Sequence, residues 1–463
     1  MCDATDRTEP DFTPDALEAA GAGEGSIDPG YSWPDDPLVR ENLERWRDQK
    51  IGIIIHWGLY TSIRQGGSWS LHRQHLGSFT DPPSDFNGTD AQYHRWYYER
   101  RHTFKADAFN ADDWAARIAR AGAKYVVFTT KHHDGFAMYD TQFSNLKVTA
   151  EDCPVGRDIM REVVEACRDN DLETGVYFSK ADWAHPCYWD LARKVSDRRC
   201  NYDIAEHPKK WKRFVEFTHD QIDELLSNYG PMNVLWLDAG WVRAPEEDID
   251  MPRLADRARE LQPGILVVDR EVHDSVEDYR TPEQQIPSEY LDYPWEACVT
   301  WTKSWCSMKI DDPAKPTSEI IANLLRIVAR GGNYLIGFGP DENGAMSTHI
   351  ARGLDELGAW LDVNGEGIYG TRGLAKPPRI QPLDDSMEWH IVAKQEDFYL
   401  YGIPLTDADV NARVELDCEI RQAHLLGEGD CNISVGDGCS ILNLRGSAEA
   451  WGFVIHLEGT ALS

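Results

Sequence analysis

The sequence predicts an α/β protein built on a (β/α) barrel of the TIM type, followed by a small antiparallel β-sandwich domain. Short apolar segments alternate with amphipathic helices, which is typical of βαβ units around a parallel sheet. Polar side chains recur where these segments end, and the C-terminal ends of barrel strands are where such folds place their active sites. After residue 371 the alternation gives way to short strand-like stretches, which predicts the second domain.

The apolar segments are predicted to be buried parallel strands because they are apolar on both faces. They comprise residues 51–56, 124–130, 174–178, 233–238, 265–268 and 333–338. Amphipathic helices are predicted before the last five of them, at 111–121, 158–170, 211–229, 252–261 and 318–330. A doubly wound sheet would show the same alternation. No GxGxxG or P-loop motif follows any of these strands, however, which favours the barrel.

The chain is predicted to divide into three parts. Residues 1–30 are acidic and rich in small residues, which is typical of a loosely ordered tail. Residues 31–370 form the barrel, and residues 371–463 form the sandwich. Within the sandwich, stretches of alternating polarity are separated by Gly, Asp and Asn, at 388–393, 398–402, 413–416 and 452–457.

Composition excludes several classes of partner. The formal net charge of −32 would repel nucleic acid and anionic membrane surfaces. No apolar stretch of about 18 residues is present to span a membrane, and the first residues lack the basic and apolar regions of a signal peptide. The ten cysteines show neither CxxC pairs nor zinc spacing, which indicates reduced, buried thiols. We therefore expect a cytoplasmic protein; its oligomeric state is left open, a homo-oligomer included.

Asp238 is the leading candidate for a catalytic nucleophile. It ends the strand-like sequence Val-Leu-Trp-Leu-Asp, so its carboxylate is fixed on a rigid element at the barrel mouth. The alternative for a single Asp is a helix cap or an ion pair. A glycosidase needs a second carboxyl group, about 5–5.5 Å away if it retains configuration. Glu283 and Glu296, both after the fifth predicted strand, are the candidates, and Glu289 is a weaker one.

Imidazoles follow two of the strands. His132 and His133 lie just beyond the second strand, where both can turn inward, and neutral imidazoles suit sugar hydroxyls. A metal site would need a third ligand at ordered spacing, and no HxxxH or HExxH motif occurs, so neither a metal nor another cofactor is expected. His56 offers a further hydrogen-bonding group beside the ring of Trp57. Arg270, after the fifth strand, can bind a hydroxyl, orient a carboxylate or form a structural salt bridge.

In combination these motifs resemble one known family, the α-L-fucosidases of glycoside hydrolase family 29. The resemblance covers about residues 40–370 and keeps the order and spacing of its motifs. The motifs are Ile-His-Trp-Gly (55–58), Thr-Lys-His-His-Asp-Gly-Phe (130–136), Gly-Arg-Asp (156–158), Leu-Trp-Leu-Asp-Ala-Gly-Trp (235–241), Pro-Trp-Glu (294–296) and Gly-Gly-Asn…Gly-Pro (331–340).

The resemblance implies hydrolysis of terminal α-L-fucosyl residues from oligosaccharides or glycans, through a covalent fucosyl-enzyme on Asp238. It leaves the acid/base open between Glu283, favoured by its distance from Arg270, and Glu296. It implies that several side chains bind or line the fucose site, with Trp236 near the methyl group of the sugar: His56, His132, His133, Tyr177, Trp236 and Arg270.

The sequence also departs from the family pattern. Many relatives have Ser-Glu-Trp-Tyr after the first strand, where this chain has Gly67-Ser68-Trp69-Ser70, so the contact made by that Glu is in doubt. Trp69 is still expected to flank the pocket, and Phe178 replaces a Tyr of the third strand. The missing Glu lends weight to one alternative, a fucose-binding protein without catalysis. A separate alternative is a barrel hydrolase with His132 and His133 as metal ligands.

Overall fold

The computed structural model describes residues 30–71, 86–193, 195, 197–270, 272–306, 313–382, 387–405, 411–417, 420–427, 430–436, 439–445 and 452–458. Of the predicted tail, residues 1–29 lie outside these ranges. A seven-stranded parallel sheet curls into a TIM-like barrel in the order β5-β4-β3-β2-β1-β7-β6, which confirms the predicted fold class. Its strands are β1 (Ile51–Ile55), β2 (Tyr125–Lys131), β3 (Glu173–Ser179), β4 (Val234–Asp238), β5 (Leu266–Asp269), β6 (Glu296–Thr300) and β7 (Asn333–Phe338).

The helices form where amphipathic patterns and caps coincide. Asn110 and Asp158, for example, each accept a hydrogen bond from the backbone N–H three residues on, which satisfies a free amide of the first turn. The helices are α1 (Pro37–Gln49), α2 (Asp90–Glu99), α3 (Ala111–Arg120), α4 (Ile159–Asp169), α5 (Pro208–Asn228), α6 (Met251–Leu261), α7 (Thr317–Ala329) and α8 (Thr348–Asn364). The five predicted helices are α3 to α7; α1, α2 and α8 were not predicted.

An irregular segment, residues 278–284, bridges the two edge strands of the sheet. On one side the N–H of Asp278 donates to the carbonyl of Val267 in β5 (2.8 Å). On the other side the segment runs parallel to β6, with the N–H of Cys298 donating to the Pro282 carbonyl (3.0 Å) and the N–H of Gln284 donating to the Cys298 carbonyl (2.8 Å). The segment thus takes the place of an eighth strand, and its C-terminal end reaches the barrel mouth.

The N-terminal end of the barrel is closed by α1. The ring of Trp46 stacks on Tyr279 with centroids 4.0 Å apart, and the side-chain amide of Asn333 donates to the Trp46 carbonyl (2.6 Å). Val39 and Leu43 of the same helix are fully buried against the barrel interior. Because one end is plugged in this way, access to the barrel interior is from the C-terminal end of the strands.

The second domain is an antiparallel sandwich whose first strand begins at Arg372. One sheet has the order β13-β16-β11-β10-β8 and the other β14-β15-β12-β9. The strands are β8 (Arg372–Gly373), β9 (Ile380–Pro382), β10 (Met387–Lys394), β11 (Asp397–Pro404), β12 (Asn411–Leu416), β13 (Gln422–Leu425), β14 (Asp430–Gly436), β15 (Cys439–Arg445) and β16 (Phe453–Glu458). Leu400, Leu442 and Ile455 are among its buried core residues. Among the described helices none has the length and apolar character to cross a membrane.

Candidate active site

Asp238 is the last residue of β4, and its side chain is only 9% exposed at the barrel mouth. The carboxylate is surrounded by donors. Arg270 Nη1 (2.6 Å) and the N–H of Ala239 (2.7 Å) donate to Oδ1, while the hydroxyl of Tyr177 donates to Oδ2. His133 Nε2 lies 3.8 Å from the same Oδ2. The structure thus holds this carboxylate in one orientation from four directions.

The charge state of Asp238 follows from these neighbours. Burial alone would raise its pKa, but the Arg270 guanidinium, the nearby imidazoles and the Tyr177 hydrogen bond together hold the pKa well below its usual range. Asp238 is therefore ionised whenever the protein is folded near neutral pH. An ionised carboxylate on a rigid strand end can act as a nucleophile.

Glu283 lies close to Asp238 because one guanidinium binds both. Arg270 Nη2 forms an ion pair with Glu283, whose side chain is 11% exposed, while Nη1 bonds to Asp238. Retaining glycosidases hold their two carboxyl groups about 5–5.5 Å apart and inverting ones about 6.5–9.5 Å apart. Two carboxylates bonded to the terminal nitrogens of one guanidinium are neighbours, an arrangement that favours the shorter spacing.

The backbone after Glu283 is anchored. Gln284 has a left-handed backbone (φ 52°), which is uncommon for a residue with a side chain. Its side-chain oxygen accepts from the N–H and hydroxyl of Thr300 (both 3.3 Å) at the end of β6. This anchor fixes the end of the segment 278–284 and so the direction in which Glu283 faces the mouth.

Two serines orient the paired imidazoles. Ser68 Oγ lies 2.6 Å from His132 Nδ1, and Ser179 Oγ lies 2.6 Å from His133 Nδ1. With each Nδ1 engaged, the Nε2 atoms are the ones left to face the pocket. Burial lowers the pKa of His132 to about 4, although the nearby Asp238 opposes the shift. At neutral pH this ring is uncharged and can donate or accept a hydrogen bond.

His56 lies in the same layer. Its ring lies 5.4 Å from the ring of Tyr177 and 4.4 Å from that of Trp305. Burial lowers its pKa well below the usual range, and its Nδ1 has no hydrogen-bond partner among the described residues. A buried ring nitrogen without a partner is suited to a polar group of a bound ligand.

Tryptophans form a wall beside the imidazoles. The rings of Trp69, Trp183 and Trp241 all lie 5.0–5.1 Å from the ring of His133. Trp69 is partly exposed, whereas Trp183 and Trp241 are buried. The exposed part of Trp69 therefore offers the pocket an apolar surface of the kind on which the C–H groups of a sugar pack.

Other predicted residues are not brought to the mouth. Trp57 follows His56 directly, so it points to the opposite face of the strand. It packs outside the barrel, with its ring 4.9 Å from that of Phe109. Trp236, by contrast, precedes Asp238 by two residues on the same face of β4, where its ring stacks on that of Tyr177 (centroids 5.5 Å apart), so its contact with the sugar stays a prediction. Glu289 is exposed on the loop before β6.

Glu296 lies at the other end of the barrel. It was predicted to lie in an irregular segment, but it begins β6 instead, and the start of a parallel strand belongs to the closed end. It is fully buried there, and the hydroxyl of Tyr125 donates to its Oε1 (2.5 Å). Of the two acid/base candidates, the structure brings only Glu283 next to Asp238.

Sequence reasoning missed the serines that orient the imidazoles and the tryptophans at 183 and 305. Ser179 could have been found from sheet register, because it ends β3 and pairs directly with Asp238. Ser68 lies in a short turn, Ser68–Leu71, with no sequence signal that points to His132. Trp183 and Trp305 lie in loops whose paths do not follow from any pattern.

The same cluster has the composition of a metal site. One ligand atom each from His132, His133 and Asp238 lie within 4.8 Å of one another. The Arg270 guanidinium is bonded to that Asp238 carboxylate, however, so a cation there would lie beside a fixed positive charge. The two imidazoles and the carboxylate are therefore suitable metal ligands, but the positive charge of Arg270 beside them disfavours binding of a cation.

Comparison with known proteins identifies relatives over most of the chain. The family profile described as Alpha-L-fucosidase matches residues 21–366. The plasma alpha-L-fucosidase of Homo sapiens is 31% identical over 353 residues, covering 73% of this chain and 71% of that protein. The alpha-L-fucosidase of Dictyostelium discoideum is 26% identical over 397 residues, or 82% of each chain.

Solved structures agree with these matches. Alpha-L-fucosidase isoenzyme 1 from Paenibacillus thiaminolyticus superposes with a TM-score of 0.73 at 26% identity, covering 92% of this chain and 100% of that one. An alpha-L-fucosidase of family GH29 from Bacteroides thetaiotaomicron, solved as a covalent intermediate trapped with 2-fluoro-fucosyl fluoride, shares the fold. Its TM-score is 0.71 at 22% identity, and the match covers 94% of this chain and 98% of that one.

Proposed function

The chain belongs to the α-L-fucosidase family, and from this we propose that it hydrolyses terminal α-L-fucosyl residues of oligosaccharides or glycans with retention of configuration. The observation that supports the retaining course is the bonding of Asp238 and Glu283 to the two terminal nitrogens of Arg270. A shared guanidinium favours the short carboxyl spacing that a covalent glycosyl-enzyme requires.

In the first step an Asp238 carboxylate oxygen attacks the anomeric carbon. The bond from that carbon to the leaving oxygen breaks as Glu283 donates a proton to it. In the second step Glu283 takes a proton from water, the water oxygen attacks the anomeric carbon, and the ester bond to Asp238 breaks. Fucose leaves, and both carboxyl groups return to their starting states.

The neutral imidazoles bind the sugar in this proposal. His56 offers a buried nitrogen that no described residue bonds, and His132 is neutral above about pH 4. His133, held by Ser179, faces both the sugar and Asp238. The partly exposed ring of Trp69 packs on the sugar beside them, and Trp236 is the candidate for contact with the methyl group of the sugar.

The metal-dependent alternative is favoured by one observation, the close approach of His132, His133 and Asp238. It predicts that exhaustive chelation abolishes turnover and that a divalent cation restores it. The metal-free double displacement predicts unchanged rates after chelation, because Asp238 is already an ionised nucleophile.

The proposed function is tested by following hydrolysis of an aryl α-L-fucoside and of linkage-defined fucosyl oligosaccharides by proton NMR. We expect turnover, with α-L-fucose as the first anomer to appear. First appearance of β-L-fucose would contradict the retaining course, and binding of fucose without turnover would favour a non-catalytic role.

We also propose a cytoplasmic location. Cys153, Cys167 and Cys298 are buried free thiols, as expected in a reducing compartment. Fractionation of the source cells tests this proposal. Activity in the lysate supports it, and activity in the medium of intact cells contradicts it.

A further inference from the structure

A second buried carboxyl group lies inside the barrel, and the proposed chemistry does not use it. Glu296 is inaccessible to solvent at the closed end. Besides the Tyr125 hydroxyl on Oε1 (2.5 Å), it receives Trp236 Nε1 on Oε2 at 3.3 Å, with the Tyr279 hydroxyl at 3.5 Å from the same oxygen. These three donors are neutral.

The ring that Glu296 holds lies under the catalytic groups. Trp236 stacks nearly parallel on Tyr177, with centroids 5.5 Å apart and an angle of 19° between the planes. The guanidinium carbon of Arg270 lies 5.9 Å from the Trp236 ring centroid. Tyr177 and Arg270 are two of the donors that orient Asp238. Trp236 therefore contacts two side chains that fix the nucleophile.

We propose that Glu296 is a positioning residue for the nucleophile. By accepting the indole N–H, it fixes the rotation of the Trp236 ring, and the ring in turn fixes Tyr177 and Arg270 against Asp238. This inference rests on the proposed function, because it assigns Glu296 an effect on the rate at Asp238.

A contribution to stability explains the presence of a buried Glu at position 296 less well than a positioning role does. A buried carboxyl group that faces neutral donors recovers little more than the free energy its desolvation costs. An apolar side chain of similar volume would fill the space without that cost. What an apolar side chain cannot do is accept the indole N–H and thereby set the angle of the Trp236 ring.

The test compares variants on an aryl α-L-fucoside and on a fucosyl oligosaccharide. Glu296→Ala is expected to lower kcat by about 10- to 100-fold on both substrates, since small displacements of a reacting group have effects of this size. KM should change little, and azide should give no rescue. Glu296→Gln keeps one oxygen acceptor and should recover most of the rate.

Tyr125→Phe is the matched control. It removes a hydrogen bond to the same carboxyl group, but from Oε1, the oxygen that Trp236 does not use. We expect near-normal kcat for this variant. If it loses as much activity as Glu296→Ala, general loosening of the closed end explains the effect and positioning through Trp236 is refuted.

Two further variants keep the proposal testable if Glu296→Ala does not fold. Trp236→Phe keeps an aromatic ring without the N–H and should lower kcat, with no further loss when combined with Glu296→Met, which fills the space with an apolar side chain. In a Tyr177→Phe background the effect of Glu296→Met should shrink, because coupled residues are not additive. Fully additive effects would overturn the inference.

The outcomes separate the two proposals. An inactive wild type in the same assays would count against the proposed function. An active wild type with unaffected Trp236→Phe and Glu296 variants would count against the positioning role alone. A selective loss on the oligosaccharide with azide rescue in Glu296→Ala would make Glu296 the acid/base and also overturn it.

Discussion

The two ends of the barrel each bury a carboxyl group in the interior, and the two groups have opposite properties. At the mouth, Asp238 faces the Arg270 guanidinium, which holds its pKa well below the usual range despite burial. At the closed end, Glu296 faces Tyr125, Trp236 and Tyr279, and burial raises its pKa to about 7 because no cation opposes the desolvation. Burial without a cation thus gives a carboxyl group that is protonated below about pH 7, and the adjacent cation gives an ionised nucleophile.

The comparison also shows why the two groups have different access to substrate. The strand ends at the mouth lead into loops, and one of these loops places the partly exposed ring of Trp69 against the imidazole of His133. The strand starts at the closed end lie against α1, whose Trp46 covers Tyr279. A group at the closed end can therefore affect the substrate only indirectly, through the side chains that lie between it and the mouth.

The largest effect is expected for Asp238→Ala, which removes the nucleophile. Turnover of an aryl α-L-fucoside should fall by about 10³-fold or more, with the folded state intact by circular dichroism. Asp238→Asn, which keeps the shape without the charge, is expected to be almost as inactive. Near-normal turnover by either variant would show that Asp238 is not the nucleophile, and the proposed difference between the two ends of the barrel would be wrong.

The next effect separates Glu283 from Glu296. Glu283→Ala should lower oligosaccharide hydrolysis by about 10²- to 10⁴-fold but affect an activated aryl fucoside far less, because only a poor leaving group needs the proton. Azide should rescue it by attacking the fucosyl-enzyme directly.

Glu296→Ala is the control for that measurement, with equal losses on both substrates and no rescue. Rescue of Glu296→Ala and not of Glu283→Ala would reverse the two roles. Rescue of neither would direct the search to another carboxyl group at the mouth.

A smaller effect concerns the pH dependence of stability. Burial raises the pKa of both Glu296 and Asp134 to about 7 in the folded state, above their usual range near pH 4. At these two carboxyl groups the folded state binds more protons than the unfolded state between about pH 4.5 and 7, so their contribution to the free energy of unfolding falls as pH rises through that window. Burial lowers the pKa of His56 and His132, which contribute the opposite slope, so urea titrations should show the carboxyl contribution as the difference between wild type and variant.

Glu296→Gln should remove the contribution of one ionising group from the slope. An equal slope in wild type and Glu296→Gln would show that the carboxyl group at the closed end is already ionised. The contrast between the two ends would then fail.

The smallest effect is expected at Ala239, which donates its N–H to Asp238 with a left-handed backbone (φ 69°). A non-glycine residue in this conformation stores about 1–2 kcal/mol of strain, and glycine relieves it at some cost in chain entropy. Ala239→Gly should therefore change the free energy of unfolding by less than about 1 kcal/mol.

Ala239→Val should be clearly destabilising and less active, because a β-branched residue is a severe outlier at this φ. Gly156→Ala is a matched control. Gly156 has a similar φ of 58°, and an added Cβ would meet no atom within 4 Å, so that variant reports the backbone cost alone. A tolerated Ala239→Val would show that the strained turn does not orient Asp238.

The sequence predicted much of the barrel and of its mouth because both obey local rules. Buried parallel strands are short and apolar, and the residue at a strand end is known once the strand is recognised. Asp238, His132 and Arg270 follow in this way.

The sequence could not predict features that depend on pairing between distant segments. β6 has the sequence Glu-Ala-Cys-Val-Thr, which begins with a charge and follows a proline-rich loop, so nothing marked it as a buried strand. The segment 278–284 lacks strand periodicity, and only its hydrogen bonds to β5 and β6 place Glu283 at the mouth. The position of Trp57, in contrast, was predictable from the sequence, because alternation along the strand places the residue after His56 on the outer face of the barrel.

The most direct test of the account is to identify the residue that becomes covalently attached to the sugar. The Glu283→Gln variant, incubated with 2-fluoro-fucosyl fluoride, should accumulate a fucosyl-enzyme, because the fluoride leaves without acid help and breakdown of the ester lacks its base. Peptide mass spectrometry should find one 2-fluorofucosyl group, attached to Asp238. A label on Glu296 or on any other residue would contradict the account, as would steady release of 2-fluorofucose without any labelled peptide.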